Sequence, residues 1–179
     1  MTKGTGASAN GTVSLTAVSE SDPSKTQTAV CGLGSGDVGG SVPATLALAL
    51  GTPASFGSFT PGVGKLYAAS TTANVISSAG DATLTVADPS ATNTGKLVNG
   101  AFALNQPLMA QASSPAAGPA GAFAAVGGSA APTQLAKWTN PVANDPVSIG
   151  FQQTILASEP LRTGSYAKTL TFTLSTTTP

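Results

Sequence analysis

The stretch Lys168-Thr-Leu-Thr-Phe-Thr-Leu174 decides how this chain is read. Leu170, Phe172 and Leu174 alternate there with Thr169, Thr171 and Thr173. In an extended strand successive side chains point to opposite faces. The three large apolar groups therefore share one face, which is predicted to turn inward. The β-branched threonines cover the other face and suit a pleated, solvated surface. No segment of the chain shows the three- and four-residue spacing of a helical stripe.

The same period recurs upstream. Thr12-Val-Ser-Leu-Thr-Ala-Val18 sets Val13, Leu15 and Ala17 against Thr12, Ser14 and Thr16. Ala82-Thr-Leu-Thr-Val-Ala87 sets Leu84 and Val86 against Thr83 and Thr85. Ala44-Thr-Leu-Ala-Leu-Ala-Leu50 places Leu46, Leu48 and Leu50 on one face with alanine on the other, so burial on both sides is expected. Weaker patterns predict strands at 54–59, 65–77, 101–104 and 147–155, and around 135–138. Gly51-Thr-Pro53, Thr60-Pro-Gly62, Asp88-Pro-Ser90, Asn99-Gly100 and Asn144-Asp-Pro146 read as the turns between them. Many short strands with such punctuation predict an all-β fold, an antiparallel two-sheet β-sandwich. The apolar residues are too small and too few for a large closed barrel.

Two segments depart from the pattern. Residues 113–131 are almost wholly Ala, Gly, Ser and Pro apart from Phe123 and Val126, and read as a long loop anchored by Phe123. Cys31-Gly-Leu-Gly-Ser-Gly-Asp-Val-Gly-Gly40 reads as a linker. The expected organisation is an N-terminal extension with one strand over 1–40, then a sandwich domain over 41–179.

Composition narrows the function. Only 8% of the 179 residues are charged, and seven basic residues cancel seven acidic ones. Ordinary globular proteins carry about 25%. No basic patch of the size that neutralises many phosphates can form, so neither nucleic acid nor an anionic membrane is an expected partner. No run reaches the roughly 18 apolar residues of a membrane-spanning helix. Met1-Thr-Lys has no apolar stretch behind it of the kind a signal peptide carries. A neutral surface of hydroxyls and amides fits an extracellular or cell-surface protein that packs against copies of itself.

Histidine is absent, which removes the commonest general base and metal ligand. Serine therefore cannot complete a Ser-His-Asp triad. Ser165-Tyr-Ala-Lys168 spells a Ser-x-x-Lys motif, but that motif needs a helix, and here it leads into the best strand. Gly32-Leu-Gly-Ser-Gly36 lacks the lysine and the strand–helix context of a phosphate loop. The acids Glu20, Asp22, Asp37, Asp81, Asp88, Asp145 and Glu159 sit mostly at turns, where capping the local backbone explains them. A loop calcium site is open to them, although no EF-hand spacing exists. The single cysteine, Cys31, rules out an intramolecular disulfide and is either a small buried hydrophobe or a thiol that pairs between chains. Asn10-Gly-Thr12 is a formal glycosylation acceptor. No enzyme activity and no cofactor are expected.

Four stretches carry a family likeness: residues 50–62 (LGTPASFGSFTPG), 78–89 (SAGDATLTVADP), 97–100 (LVNG) and 161–179 (LRTGSYAKTLTFTLSTTTP). Together they resemble a group of uncharacterised secreted bacterial β modules, notably actinobacterial. The resemblance implies an immunoglobulin-like sandwich of surface and wall-associated proteins. Residues 1–40 lie outside it.

The expectation is an extracellular structural or adhesive module able to self-assemble into a filament or surface layer. Its partners would be other copies of itself or cell-surface proteins. Thr12, Val13, Ser14, Leu15, Thr16, Ala17 and Val18 form the candidate donor strand for a neighbour's sheet. The alternative is a carbohydrate-binding module of a secreted protein, which would present Trp138, Tyr67 and Tyr166 to glycans.

Overall fold

A computed structural model describes residues 11–18, 21–33 and 38–177. They form strands only, with no helix among them. In chain order these are β1 (Gly11–Val18), β2 (Thr26–Leu33), β3 (Leu46–Leu50), β4 (Lys65–Ser77), β5 (Ala82–Asp88), β6 (Val98–Asn99), β7 (Phe102–Ala103), β8 (Met109–Ser113), β9 (Ala124–Ala125), β10 (Gly127–Gly128), β11 (Thr133–Trp138), β12 (Val142–Ile155) and β13 (Thr171–Ser175). The chain divides into two compact units, Met1–Ser41 and Val42–Pro179.

The first unit holds two strands, where one was expected. β1 and β2 pair antiparallel from Gly11 opposite Leu33 to Val18 opposite Thr26. The segment between them contains a tight turn in which Lys25 N–H donates to the Asp22 carbonyl at 2.9 Å. Asp at the first position and Pro23 at the second suit that turn. Cys31, Gly32 and Leu33 belong to β2 and not to a linker. Of the rest of that expected linker, residues 34–37 lie outside the described residues, as does the acceptor Asn10.

The second unit contains a five-stranded sheet in the order β3-β4-β12-β8-β9. β5 is the centre of a four-stranded sheet, paired antiparallel with β11 and β13 and parallel with β10. The longest ladder joins β4 to β12, from Lys65 opposite Ile155 to Ser77 opposite Val142. Asp145, Val147, Ile149, Phe151, Gln153 and Ile155 are all buried, and the residues between them are not. β5 buries Ala82, Leu84 and Val86. The buried faces of both sheets feed one hydrophobic cluster, which also takes in Trp138, Leu97, Leu104 and Leu108.

Several expectations need correction. Asn144-Asp-Pro146 is a bulge inside β12 and not a turn: the register shifts between Val142 and Asp145, and Asn144 adopts φ 55°. Pro146 lies beyond the end of β8, where β12 has only β4 beside it, so its missing N–H breaks no ladder. Residues 54–59 form no strand. The alanine-rich segment is anchored by Val126, which is buried and donates its N–H to the Leu108 carbonyl at 2.9 Å. Phe123 is only half-buried. Leu170, Phe172 and Leu174 do turn toward the core, but all three are partly buried.

Candidate functional site

The β3 strand departs most from expectation. Leu46, Leu48 and Leu50 lie opposite Ser77, Val75 and Ala73, which are buried, so the leucines share the core-facing side of the sheet. Yet Leu46 is 41% exposed and Leu50 51%. Expected burial on both faces fails because β3 is an edge strand, and the strand of the opposing sheet that reaches it is itself the edge strand β13. β13 is the matching edge of the four-stranded sheet, since among the described residues it pairs with β5 alone.

A cleft of about 910 Å³ opens next to β3 and β13. Residues 50–61 form one wall and residues 161–172 the other; Leu97, Leu108 and Phe151 lie at its floor. Beyond Gly51 the first wall forms no strand and is held by side chains of β4. Thr71 Oγ1 donates to the Thr52 carbonyl at 2.6 Å, and Thr60 N–H donates to the Tyr67 hydroxyl at 2.9 Å. That donor also holds the Tyr67 phenol below its ordinary pKa. The Phe59 ring stands edge-on to Tyr67 at 4.9 Å between centroids, and Phe56 follows at 6.1 Å.

The second wall is held from the other side. Val98 and Ala167 exchange backbone hydrogen bonds of 3.1 and 3.0 Å, and the Asn99 amide donates to the Thr163 carbonyl at 3.2 Å. Arg162 N–H donates to the Tyr166 hydroxyl at 2.8 Å. Within this wall Lys168 makes a buried ion pair with Asp88 at 3.0 Å. Asp88 also accepts from Ser90 N–H at 2.9 Å and Gly95 N–H at 2.7 Å. Burial is the largest influence on this carboxyl and pushes its pKa up. The two amides, the Lys168 ammonium and the Ser90 side chain together outweigh it and hold the pKa below the ordinary value.

The remaining described acids of this unit also hold backbone or side-chain donors. Asp145 accepts from the Trp138 indole at 2.7 Å, and Glu159 from Asn105 N–H at 2.6 Å. Asp81 accepts from Thr176 Oγ1 at 2.7 Å and from Thr177. The Glu159 and Asp81 ties are long-range, and they add to the local capping the sequence suggested, which Asp88 provides at Ser90 N–H and Glu159 at Leu156 N–H. No group of three or more acidic or sulfur ligands comes together among the described residues. No helix among them is long and apolar enough to cross a membrane.

The aromatic residues named for glycan stacking are not presented as platforms. Trp138 is 1% exposed and Tyr67 is buried; Tyr166 is half-buried against the core. The candidate donor residues Thr12 to Val18 all lie in β1, whose one edge is paired with β2. Thr16 and Thr28 hydroxyls meet across that pair at 3.2 Å. Sequence reasoning placed strands at β3 and β13 but missed that both are open edges beside a cleft. Edge position depends on strand order, which alternation does not encode. Compared with known proteins, the chain has no significant match to a family model, a curated protein or a solved structure.

Proposed function

We propose that this chain is a non-enzymatic structural or adhesive module of the cell exterior that assembles with copies of itself. In this reading the two sheets form an immunoglobulin-like β-sandwich, and β1 of one copy adds to an open sheet edge of the next by main-chain pairing. One observation carries the proposal: β3 and β13 are both unpaired edges without a charged residue, proline or glycine in the strand. Sheet proteins that stay apart usually blunt such edges with charge, proline or a bulge. β1 is equally uncharged and, at eight residues, long enough to cover either edge. The low charge of the whole chain, which leaves little long-range repulsion between copies, supports the same reading.

Deleting residues 1–30 tests it. The full chain is expected to form assemblies larger than a pair, visible by negative-stain electron microscopy and light scattering, and the truncated chain is not. Identical association of the two proteins overturns the donor-strand role of β1.

A further inference from the structure

We infer that β3 pairs antiparallel with β3 of a second copy about a two-fold axis at Leu48, so that the five-stranded sheet runs on into its partner's. The first support is the direction of the backbone groups. Gly51 N–H donates to the Thr72 carbonyl at 2.7 Å, and Ser78 N–H donates to the Thr45 carbonyl at 2.9 Å. Odd-numbered positions therefore turn their main-chain groups toward β4. In an antiparallel ladder these directions alternate. The N–H and C=O of Leu46, Leu48 and Leu50 accordingly face the open edge. Among the described residues no strand other than β4 pairs with β3.

The second support is that the strand is complementary to itself. With the axis at Leu48, Leu46 lies opposite the partner's Leu50, Leu48 opposite the partner's Leu48, and Leu50 opposite the partner's Leu46. All are then hydrogen-bonded pairs, and every outward group finds a partner. The same register sets the two exposed core-side leucines, Leu46 and Leu50, against each other across the junction. A two-fold interface of this kind closes on itself as a dimer.

The third support is charge. From Val38 through Gly64 the chain carries no charged residue, so two copies can approach along this edge without like-charge repulsion. In the register above a second copy satisfies the edge fully. The pairing is independent of the donor-strand reading: residues 1–30 take no part in it, and β13 stays open for a donor.

The test exploits the register. L46K/L50K places lysine opposite lysine at both outer pairs, whereas L46K/L50E places lysine opposite glutamate at both. Like charges directly opposite each other repel, and opposite charges attract. Sedimentation of the full chain is expected to show dimer-based assemblies for the parent, loss of that pairing in L46K/L50K and its recovery in L46K/L50E. The truncated chain lacking residues 1–30 is expected to remain dimeric, which separates this inference from the donor-strand one. A monomeric parent, or equal association of the two charged variants, overturns the pairing. A measurement on the unmodified chain guards against misfolded variants. Amide exchange at Leu46, Leu48 and Leu50 should slow at least tenfold between dilute and concentrated protein. Concentration-independent exchange at those amides overturns the inference too.

Discussion

Trp138 on β11 donates its indole N–H to the carboxylate of Asp145 on β12 at 2.7 Å, and so links the four-stranded sheet to the five-stranded one. Both side chains are buried. A buried carboxylate that loses a donor keeps its desolvation cost, about 1–3 kcal/mol and more for a charge. The bond from Ala116 N–H at 3.3 Å would remain. Trp138→Phe also leaves a void, since the indole is larger than a phenyl ring. The expected loss is about 2–4 kcal/mol, read as a fall in melting temperature by circular dichroism. Asp145→Asn keeps an acceptor for the indole and should lose less. An unchanged melting temperature in Trp138→Phe would show that the link contributes nothing.

The Asp88–Lys168 pair joins β5 to the second wall of the cleft. Removing one partner of a buried pair typically costs about 3–5 kcal/mol, because it strands the other charge. Lys168→Met is therefore expected to destabilise strongly in urea unfolding, and more than Lys137→Met, whose side chain is exposed.

The same pair gives the protein an acid limb. Asp88 has a lower pKa folded than its ordinary value, 3.8. Its contribution to stability is thus fully present above the unfolded value and is lost as pH falls through the folded one. Between pH 7 and 5 this group should leave stability unchanged; below about pH 4 stability should drop. In Asp88→Asn that part of the drop disappears, while stability at neutral pH is already lower because the Lys168 ammonium is unpaired. Melting curves from pH 7 to 2 on both proteins check it. An acid limb of the same depth in Asp88→Asn would assign it to other carboxyls.

How much of this was legible depended on what the inward positions contain. In β5, Leu84 and Val86 alternate with threonine, and the strand is read directly. In β8 the inward residues are Ala110 and Ala112, which carry too little apolar weight to register as a face. In β12 the alternation runs for eleven residues from Asp145 to Ile155. Its polar members, Asp145 and Gln153, hide it. Asp145 reads as a turn residue beside Pro146 until Trp138 is seen to face it. The site was less legible than the fold. LALAL announces a strand, but only the long-range order of strands makes it an edge. Residues 54–59 resemble a strand by composition and instead form a cleft wall, because side chains of β4, and not a neighbouring strand, satisfy the backbone at Thr52 and Thr60.

Two glycines separate conformational demand from crowding. Gly95 (φ 71°) and Gly57 (φ 70°) both occupy the left-handed region. A Cβ on Gly57 meets nothing within 4 Å, whereas one on Gly95 would overlap the Val126 carbonyl oxygen. Gly57→Ala should cost about 1–2 kcal/mol, the ordinary penalty for that conformation. Gly95→Ala carries the same penalty and must also displace the backbone at Val126, which would disturb the Gly95 N–H bond to Asp88. A loss of at least about 3 kcal/mol is expected. Equal melting temperatures for the two variants would count against the tight approach at Val126.

Gln153 is the most exacting polar residue in the core. It is fully buried on β12, and its amide nitrogen donates to the carbonyls of Gln106 and Thr154, each at 3.1 Å. Among the described residues its oxygen finds no hydrogen-bond partner. Gln153→Glu changes the volume little but puts an acceptor where two carbonyl oxygens need a donor. Burial and those oxygens both disfavour the carboxylate, so the new carboxyl must titrate above its unfolded value of about 4.3. Below that value the acid is neutral in both states and can still donate one hydrogen bond, so most stability is retained. As pH rises toward the raised folded value, the unfolded chain ionises first and stability falls. It then stays low through neutrality, the reverse of the Asp88 limb. Unfolding of Gln153→Glu followed by the fluorescence of the single tryptophan should therefore show a more stable protein at pH 4.5 than at pH 7.5. A pH-independent loss would mean that the carboxylate reaches solvent and that position 153 is not closed.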